Sequence, residues 1–251
     1  MTVRRVSGRK AVLVAGLVLA GSALAGCGHG SGLTSAVWHG SGVASPSPSP
    51  SPVPSATPTG GPAPFVGTAS PVTADTVAHT WHSGCPVGPS QLSLLHLSYW
   101  GFDNAPHVGT MVVNKSVVPD VLKVFESLYR QRFPIRQMQP EDVYGGSDPA
   151  SMAADNTSGF NCRNAVADGP PQWSVHAYGE AIDVNTVENP YVFGGQVLPA
   201  AGSAYRDRSK VRPGMAVKGG VLVRAFAAVG WQWGGRWSDG PDYQHFSKTG
   251  G

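Results

Sequence analysis

Apolar side chains follow a helical period in two stretches of the C-terminal half of the chain. After the helix-start pair Pro119-Asp120, apolar positions recur at intervals of three and four residues, at Val121, Val124, Phe125 and Leu128. This pattern predicts an amphipathic helix that ends near Phe133. The same period predicts a second helix over 219–229, which Gly230 would end.

Short apolar runs without that period predict strands at 109–113, 135–138 and 180–184. Strands and helices do not alternate along the chain, as they would in a protein that builds a parallel sheet. We therefore expect an α+β domain, in which a small antiparallel sheet has flanking helices. The sequence contains neither a nucleotide-binding Gly-rich loop nor a Gly-x-Ser-x-Gly nucleophile elbow.

Residues 1–27 have the pattern of a bacterial export signal. Four cations precede an apolar run at 11–25, which is shorter than the roughly 20 residues that span a bilayer. The run ends in Leu24-Ala25-Gly26-Cys27, and small residues before a Cys at that point resemble a lipobox. We predict that Cys27 is lipidated and holds the protein on the outer face of the bacterial cell membrane, towards the cell wall. An ordinary cleaved signal with a chance Cys is the alternative.

Residues 28–74 have the composition of a disordered linker. No Lys, Arg, Asp or Glu occurs between Lys10 and Asp75, and Ser-Pro repeats occupy 45–52. Such a segment cannot bury a core and favours extended polyproline II structure. We predict a spacer between a membrane anchor and a globular domain at 75–251.

Charge and cysteine content narrow the class of the domain. Four of the 18 basic residues lie in the export signal, which leaves 14 against 15 acidic residues. This balance gives no support to nucleic-acid binding. The remaining cysteines are Cys85 and Cys162, and an isolated pair outside the cytoplasm most often forms a disulfide. Metal binding by these thiols is the weaker alternative, because neither has a second Cys at ligand spacing.

Two segments, 174–183 and 242–246, concentrate the candidate chemistry of a charge-poor domain. They hold two imidazoles and two carboxylates, at His176, Asp183, Asp242 and His245. A hydrolytic zinc site typically takes three N/O ligands from the protein and keeps one position open for water. His176, Asp183 and His245 would be those ligands, and Asp242 would accept the proton of the water. Taken singly, each of the four is as well explained as an ordinary hydrogen-bonded residue.

The two segments read Ser-x-His-x-x-Gly-x-Ala-x-Asp and Asp-x-x-His, and this pair resembles the VanY-type zinc D-alanyl-D-alanine carboxypeptidase and endopeptidase family. That family shares its fold with the lysostaphin and hedgehog domains. Residues 159–163, 189–191 and 230–235 resemble its L-alanyl-D-glutamate endopeptidase branch. The resemblance implies one Zn²⁺ held by the three ligands above and Asp242 as the general base. An Asp at the base position points towards the endopeptidases, since the carboxypeptidases usually have Glu, but it does not identify the bond cleaved.

The resemblance also implies a cation that polarises the substrate, and Arg163 is the candidate. A structural Arg beside a disulfide is the alternative. Ser174 and Trp237 are candidate substrate contacts, although Ser174 could instead fix the metal loop by a turn hydrogen bond. His107 and the other tryptophans nearby, Trp231 and Trp233, are expected to be structural.

These observations predict a zinc peptidase that hydrolyses peptidoglycan stem peptides, either as a D-Ala-D-Ala carboxypeptidase or as an L-Ala-D-Glu endopeptidase. Two alternatives stay open. One is a non-catalytic, zinc-containing module that binds the cell wall, and the other is a cell-wall amidase. The partners implied are a peptidoglycan peptide and, through the lipid anchor, the membrane.

Overall fold

The computed structural model describes residues 63–166 and 169–250. The predicted export signal, the lipidation site Cys27 and the first part of the predicted linker lie outside the described residues. Within the described part of the chain, no helix is both long and apolar enough to cross a bilayer.

The first sheet is antiparallel and is built from β1 (Gly67–Pro71), β2 (Leu92–Trp100) and β3 (Pro106–Asn114), in that order. β1 lies within the stretch predicted to be a linker, so the folded domain begins before residue 75. The backbone of β1 pairs with that of β2, from Gly67 opposite Leu97 to Pro71 opposite Ser93. β3 confirms the strand expected at 109–113.

Three α-helices follow among the residues that the structure describes: α1 (Val118–Arg130), α2 (Asp148–Ala153) and α3 (Val221–Ala227). α1 confirms the first predicted helix and buries its apolar stripe against the first sheet and α3. α3 confirms the second predicted helix and is shorter by two residues at each end. Gly220 is its N-cap residue, and Gly230 follows with a positive φ of 81°.

The second sheet is small, antiparallel and ordered β4–β8–β7. β4 is Ala181–Asp183, β7 is Gln232–Trp233 and β8 is His245–Ser247. The separate hairpin β5 (Tyr191–Phe193) and β6 (Gln196–Leu198) turns at two glycines, 194 and 195, with positive φ. With short antiparallel sheets and a few helices, the α+β prediction is confirmed.

The strand predicted at 135–138 is wrong. This run makes only single bridges at its ends, between Trp100 and Pro134 and between Met138 and Thr157. Ile135 and Met138 are nonetheless almost completely buried in the main core. The apolar run therefore reflects core packing of an irregular segment and not a ladder of backbone pairs.

Cys85 and Cys162 form a disulfide with their Cα atoms 5.9 Å apart, which confirms the predicted pairing. The bond joins the loop before β2 to the residue immediately before Arg163. A cluster of His82 with the two cysteines has the proximity of metal ligands. Both sulfur atoms are already bonded to each other, so neither can act as a thiolate ligand.

Candidate metal centre

His176, Asp183 and His245 converge on one buried point. Asp183 ends β4 and His245 begins β8, and the two residues are directly opposite in the antiparallel register. The carboxylate of Asp183 lies 3.3 Å from Nε2 of His176 and 3.4 Å from Nδ1 of His245. The two nitrogens are 3.1 Å apart. The structure thus brings together the three residues that the sequence proposes as ligands.

The first motif builds a tight turn that presents His176. Ser174 is the N-cap of the 3₁₀ turn 175–178, and its Oγ accepts a hydrogen bond from the His176 N–H at 3.2 Å. Gly179 ends the turn with a φ of 69°. A Cβ at Gly179 would lie 2.7 Å from the backbone nitrogen of Asn114 in β3, so this close approach also requires glycine. The Ser and Gly of the motif therefore shape the loop that carries the ligand.

A backbone carbonyl orients the imidazole of His176. Nδ1 lies 2.7 Å from the carbonyl oxygen of Gly159 and donates its hydrogen there. In the neutral ring this leaves the lone pair on Nε2, which points at Asp183 and His245. Ligating histidines in metalloproteins are held in the same manner by an acceptor for their second nitrogen.

The donor atoms of these three residues would fit a single zinc ion. Ligand atoms that bind zinc tetrahedrally at about 2.0 Å lie about 3.3 Å from one another. The two nitrogens lie 3.1 Å apart, Oδ2 of Asp183 lies 3.3 Å from Nε2 of His176, and Oδ1 of Asp183 lies 3.4 Å from Nδ1 of His245. Oδ1 of Asp183 and Nε2 of His245 are buried and have no hydrogen-bond partner among the described residues. The carboxylate oxygen is therefore free to act as a ligand.

The electrostatics of the cluster favour a bound cation. Burial would raise the pKa of Asp183, but the charges and hydrogen bonds of the two imidazoles hold it well below its usual range. Burial would lower the pKa of His176, but the charge and hydrogen bond of Asp183 raise it to about 9. Burial lowers the pKa of His245. Asp183 thus stays ionised in a buried site that needs positive charge beside it.

Asp242, the base proposed from the sequence, lines the same cavity as His176 and His245. Its N–H donates to the carbonyl of Gly234 at 3.1 Å. A Cβ on Gly234 would lie only 2.9 Å from the backbone carbonyl oxygen of Asp242, so the two segments approach closely. Its Oδ1 is buried without a hydrogen-bond partner in the described part of the chain. Burial, and then the charge of Asp183, raise the pKa of Asp242 well above its usual range. General bases in enzymes are commonly carboxylates whose pKa is raised by burial and neighbouring charge.

One cavity of about 80 Å³ opens onto these residues. Six residues proposed from the sequence line it: Arg163, Ser174, His176, Trp237, Asp242 and His245. Trp237 lies with its ring centroid 5.2 Å from that of His245. Trp231 and Trp233 are buried in the core, as expected. The ring of His107 forms a hydrogen bond with the carboxylate of Asp103 and stacks on Tyr99, which agrees with a structural role.

Arg163 lines the cavity and is also paired. Its guanidinium lies 2.8 Å from a carboxylate oxygen of Asp148, the first residue of α2. Its Nε is buried and has no hydrogen-bond partner among the described residues. Arg163 is therefore both anchored by a carboxylate and able to donate one further hydrogen bond.

Asp148, Tyr191 and Gln244 also line the cavity and were not proposed from the sequence. Asp148 follows the N-cap Ser147 and precedes a Pro, so its local pattern reads as a helix start. That signal does not distinguish a capping carboxylate from one that reaches into a site. Gln244 had a usable signal, since it lies inside the Asp-x-x-His motif.

Residues 168–248 match the model of a protein family described as D-alanyl-D-alanine carboxypeptidase. The matched segment contains both motifs and all three residues of the metal cluster. It confirms the resemblance to the VanY-type peptidases, which are metal-dependent enzymes. Comparisons with curated proteins and with solved structures found no significant match.

Proposed function

We propose that this protein is a zinc peptidase that hydrolyses a peptide bond in peptidoglycan stem peptides. The observation that carries the proposal is the convergence of two imidazoles and one carboxylate at 3.1–3.4 Å, beside the free carboxylate oxygen of Asp242. The family match supports a metal-dependent peptidase at family level. The choice of zinc and of a peptidoglycan substrate goes beyond that match.

His176, Asp183 and His245 would hold the ion. When bound, zinc lowers the pKa of a coordinated water towards about 7 and polarises the scissile carbonyl. Asp242 accepts the proton of the attacking water at its free Oδ1 and later returns it to the leaving amine. The guanidinium of Arg163, a residue that lines the cavity, can donate to an oxygen of the substrate where negative charge develops.

Several residues position this machinery without exchanging protons. Ser174 holds the turn of His176, and the Gly159 carbonyl sets the tautomer of that ring. Asp148 fixes the guanidinium of Arg163. Trp237 shields one side of His245, which helps to keep bulk water from the ligand. Such fixed supports keep the reacting groups in a productive geometry.

The bond cleaved is either D-Ala-D-Ala or L-Ala-D-Glu. Mass spectrometry of muropeptides, after incubation of peptidoglycan with the purified protein, separates the two. Loss of a terminal D-Ala alone identifies a carboxypeptidase, and release of the peptide beyond L-Ala identifies an endopeptidase. In either case zinc chelation and His176→Ala should both abolish the change.

The same experiment can contradict the proposal. Separation of the sugar from the whole peptide would identify an amidase. A zinc-loaded protein that causes no chelator-sensitive change would favour the non-catalytic wall-binding module. Neither alternative is favoured by a specific contact in the described residues.

We further propose that lipidated Cys27 tethers the enzyme to the cell membrane and that the Ser/Pro-rich segment lets it reach the wall. The support is the order of the sequence elements, with an apolar run and Cys27 first, a charge-free segment next and the domain last. Cys27→Ser should move the protein from the membrane fraction to the soluble fraction. Retention of the variant in the membrane would contradict a lipid anchor.

A further inference from the structure

Glu141 is a buried carboxylate that the proposed reaction does not use. It begins the 3₁₀ turn 141–144 and is only 1% exposed. Both of its oxygens are engaged. Oε1 accepts a hydrogen bond from Ser158 Oγ at 2.9 Å, and Oε2 accepts one from Asn161 Nδ2. Its side chain therefore joins the two ends of the segment 158–161.

That segment contacts two of the three proposed metal ligands. Ser158 and Asp183 exchange two backbone hydrogen bonds, of 3.0 and 2.9 Å. The carbonyl of Gly159 accepts the Nδ1 hydrogen of His176 at 2.7 Å. The N–H of Asn161 donates to the carbonyl of His176 at 3.1 Å. A shift of this segment would therefore move both His176 and Asp183.

The other face of the segment is pressed against β3. Phe160 N–H donates to the Val112 carbonyl at 2.8 Å, and a Cβ on Gly159 would lie only 2.5 Å from that same oxygen. β3 thus supports the segment from one side. Glu141 is the group that binds the side chains of Ser158 and Asn161 at the two ends.

We propose that Glu141 is a positioning residue of the metal centre: it holds the segment 158–161, which sets the ring of His176 and the backbone of Asp183. The inference rests on the proposed function only in taking these residues as metal ligands. Outer partners of this kind typically change metal affinity by about 10- to 100-fold when removed.

The burial of Glu141 is unfavourable in itself, which argues that its contacts matter. Burial, and then the charge of Asp148, raise the pKa of Glu141 to about 7, while Arg163 and His176 act in the opposite direction. A buried carboxylate is tolerated where specific hydrogen bonds satisfy it. Here both donors come from the segment that supports the ligands.

Glu188 is a matched control elsewhere in the domain. It is also 1% exposed, and its pKa is likewise raised to about 7, by burial and then by Asp155. Its carboxylate bonds to Arg136 at 3.2 Å and to the Tyr205 hydroxyl at 3.4 Å. Neither partner belongs to the segment 158–161. Removing either glutamate should destabilise the fold, but only Glu141 should affect metal binding.

The test is a zinc-affinity titration of the full protein against a chromophoric chelator, without substrate. Glu141→Ala should weaken zinc binding about 10- to 100-fold. Glu188→Ala should leave the zinc dissociation constant within about threefold of wild type, even where thermal unfolding shows that it destabilises the metal-free protein. Glu141→Gln should show partial rescue, since its amide can accept from Asn161 and donate to the Ser158 hydroxyl.

Ser158→Ala is a second test of the same contact, for use if Glu141→Ala does not fold. It removes one of the two bonds and should weaken zinc binding by a smaller factor than Glu141→Ala. Unchanged zinc affinity in both Glu141→Gln and Ser158→Ala, or equal weakening in Glu188→Ala, would overturn the inference while the proposed function stands. If wild type itself binds no zinc, the proposed function fails and this inference fails with it.

Discussion

The two three-stranded sheets of the domain are held together in different ways. β2 and β3 pair over nine residues, from Leu92 with Asn114 to Trp100 with Pro106. The inward side chains of this sheet are apolar and fully buried, as at Leu95, Leu97 and Met111. Long ladders over an apolar face are stable without any bound group.

The sheet β4–β8–β7 has strands of only two or three residues. Its middle pair, Ile182 and Phe246, faces the core, where Phe246 stacks on Phe226 with ring centroids 4.1 Å apart. The next pair, Asp183 and His245, faces the opposite side because side chains alternate along a strand. One sheet thus presents an apolar face to the core and two proposed ligands to the metal cluster.

Because the first sheet is long and apolar and the second is short and carries ligands, we infer that the two sheets have separate roles. The first supplies a rigid support, and the second carries reactive groups whose positions depend on polar contacts. The imidazoles beside Asp183 offset the charge of its buried carboxylate when no cation is present, and a bound metal would in addition join β4 to β8 through Asp183 and His245. We therefore expect the metal to stabilise the second sheet far more than the first.

The largest effect expected is the response to metal removal. Chelation should increase amide exchange in β4 and β8, including the N–H of Asp183, while the β2–β3 ladder stays protected. At a free zinc concentration about a thousand times the dissociation constant, binding stabilises the folded protein by about 4 kcal/mol, and chelation removes this contribution. Hydrogen-exchange mass spectrometry of the metal-loaded and metal-free protein measures this. Equal loss of protection in both sheets would contradict the separation of tasks.

Asp242→Asn should have the next largest effect, on turnover and not on metal content. The amide keeps the shape of the side chain but cannot accept the proton, so kcat should fall about a thousandfold, equivalent to about 4 kcal/mol. Zinc content and kcat on a defined stem peptide are the measurements. Asp239→Asn, an exposed change three residues earlier in the same loop, is the control and should retain full activity. Near-normal turnover of the Asp242 variant would rule out this residue as the base.

Leu97→Ala, in the first sheet, should lower the stability of the fold without changing the affinity for metal. Leu97 is fully buried in β2, and a truncated core leucine loses about 3 kcal/mol of unfolding free energy. Zinc affinity should be unchanged, because the ligands lie on the other sheet. Urea unfolding and the chelator titration measure the two quantities. Val108→Ala, at a position 58% exposed in β3, is the control and should change the stability by less than about 0.5 kcal/mol.

The parts of this molecule that were predictable from the sequence are those with a local signal. The apolar residues of α1 give such a signal, because a spacing of three and four residues indicates one buried face of a helix. The ligands were identified through the two motifs, in which Ser174 and Gly179 form the turn that His176 needs. The disulfide prediction rested on compartment and on the absence of other partners.

Contacts between distant residues account for what was missed. β1 is a strand through its pairing with β2, which follows later in the chain, and nothing in the composition of β1 indicates this pairing. Glu141 has no distinctive neighbours in sequence, and its role arises from contacts 17 and 20 residues away. The run at 135–138 is apolar because it is buried, and burial alone does not distinguish a strand from an irregular core segment.

The smallest effect concerns the pH dependence of the polar region. Because burial, and then Asp155, raise the pKa of Glu188 to about 7, the folded protein keeps this proton where the unfolded chain, with a pKa near 4.3, has released it. The contribution of Glu188 to stability is thus complete below about pH 4 and decreases as the pH rises towards 7.

Glu188→Gln cannot titrate, so the metal-free variant should lose less stability than wild type between pH 5 and 7.5, by on the order of 2 kcal/mol. Urea unfolding at a series of pH values measures this, with Glu126→Gln, at a half-buried position on α1, as the control that should follow wild type. Parallel pH profiles for wild type and Glu188→Gln would show that the buried glutamate is ionised throughout, and that its bond to Arg136 outweighs its burial.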